Sequence, residues 1–219
     1  MRTRNVLIMN MIFGLGLVCG GTVSGETFEP ISSISSSTSG TDLFPALNLI
    51  QGPGVGFDAS APHDSIDGGA TGSWVTDSPG GFPSDYIAVA GTPVLTFDLG
   101  ADTDLDEISV WGYSDANANG VSEISLRFAT EADGPAGFGT SITFNPTFLP
   151  INDQTVRQIF PFGQVVLARY VEVTAVDNFF VFPGDGSGGQ LPGGNRVGLS
   201  EIAFRVAVIP VELERFVID

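Results

Sequence analysis

The sequence predicts an all-β protein, an antiparallel β-sandwich or jelly roll. Three observations carry that expectation. Short apolar runs alternate with polar residues at period two, 29 Gly and 14 Pro punctuate the intervals between them, and no long apolar stripe of helical period occurs. Helices are therefore expected to be single turns at most. Strands with one wet face must bury the other against a second sheet, so two packed layers follow.

The chain opens with Arg2 and Arg4, then an apolar run from Val6 to Val18, then the small residues of CGGTVSGE. This is the layout of a secretory signal peptide over residues 1–25, too short and too poorly flanked to span a membrane. Val23 and Gly25 occupy the small-residue positions before a cut that makes Glu26 the new start. Cys19 leaves with the leader, so the mature chain carries no thiol, and Val18 is too bulky for a lipoprotein site at Cys19. The expected location is secreted or cell-surface, with no membrane insertion after signal removal. Residues 26–45, which include ISSISSSTSGTD, read as a Ser-rich flexible segment.

A single domain is expected over 46–207. In PVLTFDLG, Leu95, Phe97 and Leu99 share one face. EISVWGY sets Ile108 and Val110 opposite Trp111 and Tyr113. EISLRFAT places Ile124, Leu126 and Phe128 together, RYVEVTAV does the same for Val171, Val173 and Ala175, and EIAFRVAVI for Ile202, Phe204, Val206 and Val208. Residues 208–219 read either as an edge strand, interrupted by Pro210, or as a tail.

The formal net charge is −17, all eight basic residues are Arg, and loss of Arg2 and Arg4 takes the charge to −19. Nucleic acid and anionic membranes need basic faces and are excluded as partners. Cations, neutral ligands or plain solubility remain. Catalytic chemistry is poorly represented. The lone His63 rules out a His-rich zinc site in a chain without mature Cys, no G-x-S-x-G elbow occurs, and no motif marks a carboxylate pair among 25 acidic residues. A noncatalytic protein is expected.

Five ordered motifs, SIDGGATGSW, LTFDLG, EISVWGY, ARYVEV and GLSEIAF, resemble the discoidin, or coagulation factor 5/8 type C, domain across roughly Asn48 to Val206. The resemblance implies a galactose-binding-like jelly roll, with ligand held by loops at one end of the sandwich. Many such domains bind carbohydrate; others bind protein or phospholipid. It also implies a structural calcium caged by the turn around Asp67, with a carboxylate matching Glu201. Here Gly69 and Gly72 replace expected polar ligands, which weakens the site without abolishing it, since carbonyls also serve calcium. The residue-level alternative is a turn capped by Asp67, with glycines supplying positive φ and Trp74 plugging the core.

The long segment Val176–Gly198 carries the binding candidates Asp177, Asn178, Phe179, Phe180, Asn195 and Arg196. Sugar recognition takes an apolar platform for C–H groups and convergent donors and acceptors for hydroxyls, and this loop contains both. Alternatively the phenylalanines fold inward while Asn195 and Arg196 tie the loop to neighbouring carboxylates. SDANANG (Ser114–Gly120) reads as a plain hairpin connection or as a second source of polar contacts. DSPGGFPSDY offers Phe82 and Tyr86 as exposed aromatics. The function these readings imply is an exported binding module whose partner is a glycan or cell-surface polysaccharide, with an adhesive, protein-recognising surface protein as the alternative.

Overall fold

The computed structural model describes residues 26–38, 44–50, 72–113, 116–139, 146–148, 153 and 156–208. The expected leader over 1–25, His63, Asp67 and the segment beyond Val208 lie outside them.

Among the described residues eight strands run β1 (Ser33–Ser36), β2 (Trp74–Val75), β3 (Val94–Trp111), β4 (Val121–Ala129), β5 (Thr147–Phe148), β6 (Gln158–Asn178), β7 (Gly198–Leu199) and β8 (Glu201–Val206). Helix α1 (Tyr86–Ala90) is one turn, started by Asp85, whose carboxylate accepts from the Ala88 N–H. All pairings between strands are antiparallel. One sheet is ordered β1-β3-β6-β4-β5, with β8 also on β3, and β2 pairs β7 separately.

β3 and β6 are long enough to serve both layers. Their register breaks between Asp98 and Thr103, where Gly100 takes a φ of +91° that favours glycine. Phe204 on β8 pairs with Ile108 of β3, yet its ring lies 5.5 Å from that of Phe97. Eleven residues of straight strand would separate Phe97 from Ile108 by about 36 Å. The strand therefore bends, and its two halves face each other. Phe128 of β4 against Phe162 of β6, at 5.2 Å, makes the same cross-layer contact.

The expected inward residues of β4 and β6 are buried, as are Leu95, Phe97 and Leu99. Four readings need correction. The segment 26–45 is not a free spacer over its described part. Ser33–Ser36 pair with Leu95–Asp98, Ile34 packs on the core, and the Glu29 N–H donates to Phe204. EISVWGY has no wet face: Glu107, Ser109 and Trp111 are buried as fully as Ile108 and Val110, because further chain covers that side. Val206 is only half-buried, and Val208 is exposed beyond the end of β8. SDANANG is not a hairpin turn, since β6 lies between β3 and β4.

Glu107 is buried by pairing. Its Oε1 accepts from Arg157 (2.8 Å) and Ser109 (3.2 Å), and its Oε2 meets Arg205 at 2.7 Å. Both arginines also reach Glu26, and Arg157 lies 4.9 Å over the Phe28 ring. The Arg157 guanidinium holds the Glu26 carboxyl below its ordinary range.

Candidate functional site

One end of the sandwich gathers the segments around Thr76–Asp85, Asn117–Gly120 and Phe179–Val197. Their contacts start from the short β2–β7 pair, which sets Trp74 opposite Leu199. Beyond it Thr76 continues the pairing. Its N–H donates to Val197 O (2.9 Å), and its hydroxyl accepts from the Val197 N–H (2.9 Å).

Two asparagines hold the longest loop. Asn119 is buried, and its Oδ1 accepts from the Gly194 N–H (2.8 Å) and the Arg196 N–H (3.2 Å). Asn178 is also buried. Its Nδ2 donates to Gly194 O (2.9 Å) and Arg196 O (3.2 Å), while its Oδ1 accepts from Phe180 N–H at 3.1 Å. Buried amides in such positions substitute for the backbone ladder that an irregular loop lacks. Gly194, at φ +89°, lies directly under the Phe180 ring, where a Cβ would collide with it.

Most of the binding candidates are thus structural. Asn178 is spent inside the fold and is withdrawn as a ligand contact. Phe179 and Phe180 are half-buried, Phe180 folded onto glycine backbone rather than offered as a platform. Asn195 donates to Ser78 Oγ (2.6 Å) and Arg196 to Thr76 O (2.6 Å), so both tie the loop to its neighbour, through a hydroxyl and a carbonyl rather than carboxylates. Asp177 is exposed, with Oδ1 accepting from the Asn178 N–H. Tyr86 is buried, not exposed, and its N–H donates to Gly194 O (2.8 Å).

What the end presents instead is Phe182, 84 % exposed, and Phe82, 62 % exposed, each followed by a cis proline. Both lie in the expected aromatic segments, and the Phe-Pro pairing inside Gly-rich turns was the available signal. Asp77, Asp177 and Asp185, on or next to the same segments, are exposed. The Ser187 hydroxyl and N–H hold the Asp185 carboxyl below its ordinary range. Burial pushes the Tyr86 and Tyr113 phenols up, with Arg196 opposing it at Tyr113. Neither phenol is poised to act as an anionic base near neutrality.

Glu201 opens β8, fully buried and paired in register with Trp111. Its neighbour Ser200 exchanges a 3.0 Å hydrogen bond with Ser73. Glu201 thus offers a buried carboxylate, the hard oxygen donor that calcium takes, while its expected partner Asp67 lies outside the described residues. Among the described residues no group of three or more His, Cys, Asp or Glu side chains is assembled for a metal.

No family model and no curated protein matches the chain. Solved structures do. An F5/8 type C domain from Bacteroides fragilis aligns at TM-score 0.54 and 13 % identity, covering 85 % of this chain and 99 % of that one. This chain has the F5/8 type C fold. The family 32 carbohydrate-binding module of Clostridium perfringens NanJ, solved with galactose, aligns at 0.48 and 14 %, covering 82 % and 98 % of the two chains. The lectin domain of Lectinolysin, solved with Lewis B antigen, aligns at 0.49 and 15 %, covering 80 % and 93 %. At such identities the likeness establishes architecture alone.

Proposed function

We propose that this protein is an exported, noncatalytic module that binds carbohydrate through the loop end of its sandwich. The observation that carries this reading is the pair of solvent-facing rings, Phe82 and Phe182, on two loops hydrogen-bonded to each other through Asn195–Ser78 and Arg196–Thr76. Loops held this firmly do not reorder on binding, and an apolar ring kept in water gains free energy when a sugar's C–H face covers it. Asp77, Asp177 and Asp185 supply acceptors for hydroxyls at the rim. Export rests on the leader over residues 1–25. Noncatalysis rests on the absence of any motif for a nucleophile, zinc site or carboxylate pair, and on the raised phenols. Calcium, held by Glu201 with Asp67 as the resemblance implies, would tie the segment preceding Trp74 to β8.

The test is a glycan-array screen of the full chain with calcium supplied. Saturable retention on a subset of glycans, lost in Phe182→Ala, supports the reading. Retention on no glycan, or retention indifferent to both Phe182→Ala and Phe82→Ala, overturns it. Capture of a protein partner by the same rings would favour the adhesive alternative.

A further inference from the structure

We infer that the outer face of the β1–β3–β6 sheet carries a second binding site, for a neutral sugar ring. A groove of about 280 Å³ opens there, lined by Ser33, Ile34, Ser35, Thr96, Asp98, Pro135 and Tyr170. It lies on the sheet face, whereas the loop site lies at the strand ends. Register explains its composition. Ser33 stands opposite Asp98 and Ser35 opposite Thr96, and Asp98 in turn opposes Tyr170, so these side chains project from one face. Pro135, from the turn after β4, closes one side. The segment read from sequence as a spacer therefore supplies a wall.

The groove is built for hydroxyls. Arg169 donates to both carboxylate oxygens of Asp98 (2.9 and 3.2 Å), and the Gly100 N–H donates to Oδ1 at 2.8 Å. A carboxylate accepts about four hydrogen bonds. Oδ1 is filled by two, while Oδ2 holds one and keeps an acceptor position. Asp98 is thus fixed in orientation without being saturated. The hydroxyls of Ser33, Ser35 and Thr96 have no hydrogen-bond partner among the described residues and are free to turn toward a ligand. Arg169 also lies 5.0 Å over the Tyr170 ring, which restrains its tilt.

Charge selects against acidic sugars. Asp98, Glu131 and Glu172 border this face against Arg127 and Arg169; Arg127 is already paired with Glu172, and Arg169 with both Asp98 and Glu131. No guanidinium is left for a uronate. The volume sits at the low end for a small-molecule site, which suits one or two pyranose rings.

The experiment is an amide NMR titration of the full chain with methyl β-galactopyranoside, methyl β-glucopyranoside, lactose and methyl β-glucuronide. At least one neutral probe is expected to move the amides of Ser33, Ser35, Thr96, Asp98 and Tyr170 together, with a Kd on the order of 1 mM. The glucuronide is expected to bind at least tenfold more weakly. Ser35→Trp, an exposed edge-strand change that fills the groove, is expected to abolish those shifts and spare any at Phe82 and Phe182. Groove amides that respond to no neutral probe overturn the inference, as do shifts that survive Ser35→Trp or an equal response to glucuronide. Concentration-dependent shifts along β1 without sugar would instead mark self-association through this face and also overturn it. Shifts at the loop end alone would refute the groove and leave the loop site standing.

Discussion

Removal of the Asn119 side chain tests whether the loop end is held as described. In Asn119→Ala, the Gly194 and Arg196 N–H groups lose their shared acceptor. Gly194 is buried and Arg196 half-buried, so the first is left without replacement while water partly serves the second. A buried unsatisfied donor costs about 1–3 kcal/mol, and a partly solvated one less, which puts the total near 2–3 kcal/mol. For a domain of this size each kcal/mol lowers Tm by about 2–4 °C, so a drop of roughly 5–10 °C is expected by calorimetry. Hydrogen exchange at Gly194 and Arg196 should accelerate more than in the sheet. Asn119→Asp keeps the acceptor and should retain most of the protection. A variant Asn119→Ala that melts within about 1 °C of the parent, with both amides still protected, would refute the assignment.

Arg157→Met strips Glu107 of one of its two guanidinium partners and should lower stability by about 2–4 kcal/mol, since a buried carboxylate is left half-compensated; an unchanged melting curve would show that the pair contributes nothing. Return of calcium to chelator-treated protein should raise Tm by several degrees, and Glu201→Gln should not respond, whereas no shift in the parent would remove calcium from the scheme. The Asp98 carboxyl is held down chiefly by Arg169. A lowered acid stabilises the fold above its unfolded pKa, near 4, and the gain disappears as pH falls through the folded value. The Tm difference between the parent and Arg169→Met should therefore be largest at neutral pH and shrink below about pH 4, and a constant difference would contradict it.

The layered fold was legible because alternation is a local signal. Leu95/Phe97/Leu99, Ile124/Leu126/Phe128 and Val171/Val173/Ala175 announce their buried faces without reference to any partner. β1 was illegible, as a strand of three serines and Ile34 carries only one apolar mark and owes its place to backbone pairing with Leu95–Asp98. The buried second face of EISVWGY was hidden for a related reason. Glu107 and Ser109 look solvated until Arg157, fifty positions away, arrives to pair them. The site divides likewise. The long Val176–Gly198 segment stood out by its length and its Phe content. Which polar residues are spent could not be read, because Asn119 reaches its acceptor-seeking N–H at Gly194 across 75 positions. Phe182 emerges only once Phe180 has taken the inward position over Gly194.

Calorimetric titration of an array-selected glycan into the parent and into Phe182→Ala tests most directly whether this fold grips sugar through its loop rings. Saturable binding in the parent, weakened at least tenfold in the variant (about 1.4 kcal/mol), is the expected result. Equal affinity in the two proteins, or heat that never saturates, would contradict it.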